Sequence, residues 1–145
     1  MDNNLAPHTE LPTAPATATE PHLLSPLNLA YIGDSVYELL VRSRLVAVAN
    51  RPTHALTKIA NRALSAAAQS AAYHALQPHL DADEAAIMKR GRNAKSASRA
   101  KNATVADYRC ATGLEALFGF LYLTGKHSRL LELFDICWSE EHAKL

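Results

Sequence analysis

Apolar side chains recur every three or four residues along most of this chain, which is the spacing of amphipathic α-helices. No segment alternates apolar and polar residues as a half-buried strand does, and no hairpin turn separates two such segments. The pattern therefore predicts an all-α domain with about six helices. The expected ranges are about 26–48, 53–63, 65–78, 81–91 and 104–125, with a last helix from residue 128 onward.

Residues that favour helix ends support these ranges. Short polar side chains at an N-cap accept hydrogen bonds from the free backbone N–H groups of the first turn. Gly125 suits the end of the fifth helix, because glycine adopts the left-handed conformation found there. Glu84 stands three residues after Asp81, which is the spacing of a capping box and gives both acids a structural role. The predicted N-caps are Ser25, Ser65, Asp81, Thr104 and Ser128.

The first 24 residues differ from the rest of the chain. They are rich in Pro, Ala and Thr, and they contain few large apolar side chains to offset the entropy lost on ordering. We expect residues 1–24 to form a disordered tail and residues 25–145 to form one domain. A domain of that length can bury a core of ordinary size.

Composition narrows the class of protein. The chain has 145 residues, a formal charge of +1 and two cysteines, so net charge alone does not indicate a polyanionic partner. Cys110 and Cys137 lack the spacing of a metal site and are expected to be buried thiols in a reducing compartment. Asp2 stands where a signal peptide carries positive charge, and no apolar run is long enough to span a membrane. We expect a soluble, cytoplasmic protein without a membrane partner.

Asp34 follows a glycine within the first predicted helix. Gly33 costs about 1 kcal/mol relative to Ala inside a helix, which indicates close packing against a neighbouring helix. At about 100° per residue, Gly33 joins Leu29 on the apolar side, whereas Asp34 lies on the other side with Tyr31 and Glu38. Taken alone, this stretch favours an ordinary surface aspartate beside a packing glycine.

Residues 89–101 form an unbalanced basic stretch. They hold six of the chain's fifteen Lys and Arg residues, and no acid occurs between Glu84 and Asp107. Gly91 and the small polar residues after it predict a flexible loop. A run of charge is usually a solvated surface, but this run lacks the acidic partners of a salt-bridged face. Because it is also poor in aromatic residues, it favours contacts with a phosphate backbone over stacking on bases.

Glu115 repeats the arrangement of Asp34 in the fifth predicted helix. It lies opposite an apolar side that contains Gly113 and Leu117. If the two helices pack against each other, both carboxylates meet at the rim of the core. Carboxylate oxygens are ligands that Mg²⁺ prefers, and a bound Mg²⁺ can assist the attack of water on a phosphodiester. With the basic stretch, the pair suggests a phosphodiesterase, although isolated acids on helices are common.

Three segments resemble the ribonuclease III family. IGDSVYEL at residues 32–39 resembles the family's signature helix, whose core is an apolar residue, Gly, Asp, a small residue and an apolar residue. LEALFGFLYLTG at residues 114–125 resembles its second acidic helix. With RGRNAKS at residues 90–96, these segments most closely resemble the compact Mini-ribonuclease III branch, which lacks a double-stranded-RNA-binding domain. The resemblance covers about residues 26–133 and implies the helical ribonuclease III fold.

The resemblance implies that Asp34 and Glu115 are the catalytic, metal-binding carboxylates and that the cofactor is Mg²⁺. The wider family has two further acids, four residues before the first and three residues before the second. Ala30 and Thr112 occupy those positions here, as in the Mini branch. This difference leaves open how many Mg²⁺ ions bind.

Glu38 has two interpretations. It lies one helical turn after Asp34, so it could support the metal site without binding the metal directly. Pairing with Arg42, four residues further on, is the ordinary alternative and the favoured one.

The resemblance also implies a homodimer that accepts an RNA duplex along a valley containing both active sites. A two-fold dimer matches the two strands of a duplex, and A-form RNA is recognised mainly through its backbone, 2′-hydroxyls and shape. RGRNAKS is the main candidate contact, and two later basic residues are weaker candidates. The predicted RNA-binding residues are Arg90, Arg92, Asn93, Lys95, Ser96, Lys101 and Arg109.

The leading hypothesis is a Mg²⁺-dependent endoribonuclease that cleaves double-stranded RNA and leaves 5′-phosphates. By resemblance, it matures the ends of the large-subunit (23S) ribosomal RNA precursor, with a ribosomal protein as a potential helper. One alternative is a catalytically inactive helical module for RNA binding or ribosome assembly. Retention of both acids argues against it, because RNA binding alone gains nothing from carboxylates that repel phosphate. A plain structural helical protein would leave the basic stretch unexplained.

Overall fold

The computed structural model describes residues 11–95 and 104–138, and these residues form six α-helices without a strand. The predicted all-α fold is confirmed, and the helix ranges agree with the pattern to within a few residues. No helix in the described part of the chain is long and apolar enough to cross a membrane. In chain order the helices are α1 (Pro26–Val48), α2 (Thr53–Ala63), α3 (Ala66–Leu76), α4 (Ala82–Asn93), α5 (Val105–Leu123) and α6 (His127–Cys137).

Side-chain hydrogen bonds confirm four of the five predicted N-caps. Asp81 and Glu84 complete the capping box in both directions. Glu84 is also buried and accepts two hydrogen bonds of 2.8 Å from the guanidinium of Arg129, which joins α4 to α6. Local capping chemistry therefore sets where most of these helices begin. The side chains that accept a backbone N–H of the first turn are those of Ser25, Ser65, Asp81 and Thr104.

The predicted cap at Ser128 is wrong, because α6 begins at His127 with Lys126 as its N-cap. The chain reverses at Gly125, whose φ is +71°. This conformation lets the backbone N–H of Lys126 donate to the carbonyl oxygen of Leu121 at 2.9 Å, which closes the end of α5. The same reversal leaves Lys126 in place as the N-cap, so Ser128 lies inside the first turn of α6.

Helix α5 is the centre of the domain. It packs against α1, α3, α4 and α6, and every residue from Cys110 to Leu121 except Glu115 is buried. The pattern predicted a single apolar side for this helix, which is wrong. Neighbouring helices cover it almost all round, so its glycines, alanines and large apolar residues are all used in packing.

Two glycines bring the backbones of α1 and α5 into contact. A Cβ on Gly33 would overlap the carbonyl oxygen of Glu115 and would lie 2.8 Å from the backbone nitrogen of Gly119. A Cβ on Gly119 would overlap the carbonyl oxygen of Leu29. The prediction that Gly33 packs closely against another helix is therefore confirmed. The helices cross with Asp34 next to the point of contact.

The segment before α1 lies against the domain. A 3-10 turn at Pro21–Leu23 precedes α1, and the His22 ring meets Phe120 edge-on with 4.8 Å between ring centroids. Arg90 donates to the carbonyl oxygens of His22 at 2.9 Å and Leu24 at 3.3 Å. The part of the predicted disordered tail nearest the domain therefore makes defined contacts with α4 and α5. Residues 1–10 lie outside the described residues.

Candidate active site

Asp34 and Glu115 meet where α1 crosses α5. Gly33 places its backbone against that of Glu115, so the side chain of the next residue, Asp34, lies beside the Glu115 carboxyl group. Asp34 is close enough to raise the pKa of the Glu115 carboxyl group. Asp34 is exposed and Glu115 is half-buried. The structure therefore brings the two predicted acids together at the rim of the core, open to a ligand on one side.

This pair is electrostatically unfavourable when both groups are ionised. The pKa of Glu115 is raised from its ordinary value of 4.5 to about 9, chiefly because burial removes water from the carboxylate. Asp34 raises this pKa further, whereas Gln69 lowers it. Near neutral pH the pair therefore retains a proton, which a cation bound by both groups would displace.

Gln69 is a site residue that the sequence pattern did not single out. It lies on α3, is only 5% exposed, and lowers the pKa of the Glu115 carboxyl group. The other residues from 66 to 72 are all Ala or Ser. One long polar side chain within a run of small ones was the available signal.

The donor chemistry of the pair fits a divalent cation of the Mg²⁺ type. Carboxylate oxygens are hard ligands, and Mg²⁺ is typically held by one or two carboxylates, with waters completing its shell. Within residues 11–95 and 104–138, no group of three or more His, Cys, Asp or Glu side chains is placed to hold a metal ion. An ion held here by the described residues would therefore have two carboxylate ligands, Asp34 and Glu115.

Three residues near the pair, Ala30, Thr112 and Glu38, are buried or have other partners. Ala30 and Thr112, at the positions of the absent outer acids, are buried, and the Thr112 hydroxyl donates to the carbonyl oxygen of Tyr108 at 3.0 Å. Nη2 of Arg42 lies 2.8 Å from Oε1 of Glu38. The structure therefore shows the pairing that was the favoured interpretation of Glu38.

Gly91 is a packing residue and does not start a flexible loop. The pattern placed the end of α4 near Gly91, but the helix continues through Asn93. A Cβ on Gly91 would lie 2.7 Å from Cβ of Ala116 and 2.9 Å from Cα of Gly113. This close approach keeps α4 helical and fixes its end against the turn of α5 that contains Glu115.

The predicted RNA-binding residues fall into three groups. Arg90 is exposed but donates to the two carbonyl oxygens of the segment before α1. Ser96 and Lys101 lie outside the described residues. The remaining four are exposed on the last turn of α4, just after it, or near the start of α5. These four are Arg92, Asn93, Lys95 and Arg109.

Comparison with known proteins identifies the family. Residues 27–126 match the family model described as the ribonuclease III domain. The chain belongs to the ribonuclease III family. Asp34 and Glu115 both lie within the ribonuclease III match, and the resemblance carried by the three sequence segments is confirmed.

Relatives of this ribonuclease III protein include two named Mini-ribonuclease 3. One from Brevibacillus brevis is 48% identical over 79% of this chain and 85% of its own length. Another from a Thermoanaerobacter species is 42% identical over 78% of this chain and 80% of its own length. A crystal structure of a Fusobacterium nucleatum protein superposes with a TM-score of 0.75 at 28% identity, covering 82% of this chain and 97% of that one.

Membership of the ribonuclease III family makes this chain a ribonuclease, and specificity for double-stranded RNA follows from the family. The family generally depends on a divalent metal. The paired carboxylates provide oxygen ligands that suit such a metal.

Proposed function

We propose that this ribonuclease is a Mg²⁺-dependent endonuclease whose active site is the Asp34–Glu115 pair. The observation that carries the proposal is the backbone contact of Gly33 with Glu115, which places Asp34 beside Glu115 where α1 crosses α5. Two carboxyl groups whose proximity raises the pKa of one of them to about 9 destabilise the folded protein when both are ionised. Such a cost indicates a functional role for the pair. A purely structural helical protein gains nothing from it.

Asp34 and Glu115 would hold the Mg²⁺ ion through their carboxylate oxygens. A bound divalent cation stabilises negative charge on the attacked phosphate group and lowers the pKa of a nearby water. Exposed Asp34 leaves the outer side of the pair open to substrate, while the contact of α1 with α5 excludes water from the inner side. Hydrolysis joins the water oxygen to phosphorus and breaks the bond to the 3′ oxygen, which leaves a 3′-hydroxyl and a 5′-phosphate.

The RNA backbone is proposed to cross the end of α4 and the start of α5. Lys and Arg bind phosphate oxygens whatever the base sequence, and an amide side chain adds a hydrogen bond to phosphate or a 2′-hydroxyl. Packing of Gly91 on α5 supports this arrangement, because it fixes the exposed end of α4 near Glu115. Direct contacts from Arg90, Ser96 and Lys101 remain predictions. The proposed contacts are Arg92, Asn93, Lys95 and Arg109.

We propose that the protein forms a homodimer through the exposed face of α1. Tyr31 is 82% exposed, Leu39 is 50% exposed and Val46 is 63% exposed. At about 3.6 residues per turn these three positions fall on one stripe of the helix. A stripe of large exposed apolar side chains is typical of an interface. A two-fold contact through this stripe would pair two copies of the helix that carries Asp34, as a two-stranded substrate requires.

The proposed substrate is the precursor of large-subunit (23S) ribosomal RNA, cleaved in the cytoplasm. Similarity to the Mini-ribonuclease 3 relatives is the support for this part of the proposal. A small domain contacts only a short stretch of duplex, so a ribosomal protein that presents the precursor is a fitting helper.

Incubation of the purified protein with duplex RNA, in Mg²⁺ or in EDTA, tests the proposed activity. We expect cleavage in Mg²⁺, none in EDTA, and a loss of about 100-fold or more in Asp34→Asn and in Glu115→Gln. Asp135→Asn is the matched control, since it removes an exposed carboxylate on α6 that pairs with Arg44. It should cleave within about twofold of the wild type.

Two results would contradict the proposal in different ways. Duplex RNA that stays intact with the wild-type protein in Mg²⁺ and low salt would contradict the activity and favour the inactive RNA-binding module. Cleavage retained by both Asp34→Asn and Glu115→Gln would leave the activity standing and contradict the site.

A further inference from the structure

A groove lies between α3 and α4. Tyr73 of α3 lines one wall, together with Gln77 in the 3-10 turn that follows this helix. On α4 the lining residues stand three, four and seven positions after the first, so they occupy one stripe of the helix. The groove contains a cavity of about 300 Å³, which is within the size range of small-ligand sites. The lining residues of α4 are Ala85, Met88, Lys89 and Arg92.

Contacts with α5 and α6 hold the two walls of the groove in place. A Cβ on Gly113 of α5 would lie 2.7 Å from the carbonyl oxygen of Met88 and 3.1 Å from the ring of Tyr73, so both walls rest on α5. At the link between α3 and α4, Arg129 of α6 donates to the carbonyl oxygen of His79 at 2.7 Å. The groove is therefore formed before a ligand binds, which lowers the entropic cost of binding.

The floor of the groove is mostly apolar, whereas its rim is polar. Tyr73 is 4% exposed and Met88 is 2% exposed, so these two side chains close the floor. Gln77, Lys89 and Arg92 are exposed and bring one amide and two cations to the rim. An apolar slot with a few polar groups at its edge is the usual form of a small-ligand site.

The two cations at the rim have an ordinary role to be considered first. Basic side chains in the last turn of a helix interact favourably with the helix dipole, and Arg92 lies in the last turn of α4. Lys89 lies before that turn, so this role does not account for it. Within residues 11–95 and 104–138, neither cation forms an ion pair with an acid. The rim is therefore complementary to phosphate groups.

An unpaired base is the part of an RNA molecule that such a groove can recognise. In an A-form duplex the bases are stacked, and the major groove is too narrow for side chains to read. A base without a pairing partner leaves the stack at the smallest cost. Its flat faces suit an apolar slot, and an amide side chain can pair with the edge of adenine in particular. The phosphates on either side of the base suit two cations.

We propose that the groove between α3 and α4 receives one unpaired base of the RNA substrate. Lys89 and Arg92 hold the phosphates on either side of this base, and Gln77 contacts its edge. The inference rests on the proposed function, in which the RNA backbone crosses the end of α4. Because the walls rest on Gly113, two residues before Glu115, a base in the groove is held at a fixed distance from the proposed active site. The ribonuclease should therefore prefer a duplex that contains a bulged nucleotide.

Three RNAs test this preference in the wild-type protein. They are a perfectly paired duplex, the same duplex with one bulged adenosine, and the same bulged duplex in which the bulged nucleotide lacks its base. In EDTA, where no cleavage is expected, fluorescence anisotropy should show that the adenosine bulge binds about 10-fold more tightly than the other two RNAs. Equal binding of the adenosine bulge and the abasic bulge would overturn the inference, because the base would then make no contact.

Ala85→Leu fills the groove from an exposed helical position that tolerates Leu well. It should abolish the preference for the adenosine bulge and leave binding of the perfect duplex within about twofold, which also reports an intact fold. Ala75→Leu is the matched control, since Ala75 is exposed on the side of α3 opposite Tyr73. This control should keep the full preference. A preference that survives in Ala85→Leu would show that the base does not enter the groove.

Lys89→Gln tests the phosphate contact at the rim. For the adenosine bulge, the slope of log K against log salt concentration should become shallower by about 1, whereas for the perfect duplex it should not change. A slope that changes equally for both RNAs would place Lys89 on the general backbone surface and contradict its role beside the base.

The same measurements separate failure of this inference from failure of the proposed function. If the perfect duplex binds and is cleaved in Mg²⁺ but the adenosine bulge binds no more tightly, only the inference about the groove is wrong. If the protein neither binds nor cleaves any of the three RNAs, both are wrong.

Discussion

Gly33 of α1 lies against the backbone of Glu115 of α5, and no side chain fits between them. Glu115 therefore packs with its backbone and pairs with Asp34 through its side chain. Because Asp34 directly follows Gly33, the contact that holds the helices together also sets the separation of the two acids. Packing and the proposed chemistry depend on one crossing point.

Gly33→Ala should force α1 and α5 apart. The added Cβ would overlap a backbone carbonyl oxygen, which cannot rotate away as a side chain can. We expect the free energy of unfolding, measured by urea denaturation, to fall by about 3 kcal/mol. Cleavage of duplex RNA should fall by more than the loss of folded protein explains.

Gly125→Ala is the comparison for that experiment. No atom lies within 4 Å of a Cβ at this position, so only the positive φ of +71° opposes the substitution. The expected cost is about 1 kcal/mol. Equal destabilisation by the two changes would contradict the view that close packing explains Gly33.

The raised pKa of Glu115 predicts how the stability of the metal-free protein depends on pH. A folded-state pKa of about 9 means that the folded protein keeps a proton which the unfolded chain has released above 4.5. The free energy of unfolding therefore falls as pH rises from about 4.5 to about 9. Thermal unfolding in EDTA should show a lower Tm at the upper end of this range, where added Mg²⁺ should also stabilise most.

Glu115→Gln is the control for the pH dependence, because an amide does not titrate in this range. Its Tm in EDTA should fall less with rising pH than that of the wild type. At about pH 8 it should exceed the wild-type Tm, because the folded wild type must keep a proton that its unfolded chain releases, whereas the amide has no such cost. Identical pH dependence in the two proteins would show that Glu115 does not titrate as described.

Helix positions could be predicted from the sequence because capping and periodicity are local properties. Ser25 and Asp81 act as caps through residues two or three positions away. One error came from a contact between distant parts of the chain, because Gly91 is held in a helix by α5. The error at Ser128 came from a local turn, in which Lys126 bonds back to the end of the preceding helix.

The candidate site could be predicted only in part. Asp34 and Glu115 stand out because each is an acid within two residues of a packing glycine in its helix. Gln69 could not be assigned, because an amide in an alanine-rich helix has no periodic pattern of its own. Its importance depends on which side of α3 faces α5, and that is a property of the packed domain.

Arg92→Gln combined with Lys95→Gln should weaken the binding of duplex RNA. Each phosphate contact removed should reduce the slope of log K against log salt concentration by about 1. Arg90→Gln should change the slope less and lower the Tm more, because its guanidinium holds the carbonyl oxygens of His22 and Leu24. Binding measured at several salt concentrations separates these effects. An unchanged slope in the double variant would remove the end of α4 from the RNA surface.

Leu39→Lys should disrupt the proposed homodimer. A charge placed in the exposed apolar stripe of α1 must be desolvated if the stripe is an interface. Light scattering after gel filtration should give twice the chain mass of 15.7 kDa for the wild type and one chain mass for the variant. Val105→Lys, at an exposed apolar position on α5, should remain dimeric. A wild-type protein that elutes as a monomer would refute the proposed dimer.

The contacts of residues 21–24 limit how far the protein can be shortened. A chain beginning at Pro26 would keep all six helices and the whole family match, residues 27–126. It would nevertheless uncover one edge of Phe120 and remove both carbonyl oxygens that hold Arg90. The released arginine would add a freely moving positive charge beside the end of α4. A trimmed protein should therefore bind nucleic acids of every kind more tightly and discriminate among them less well.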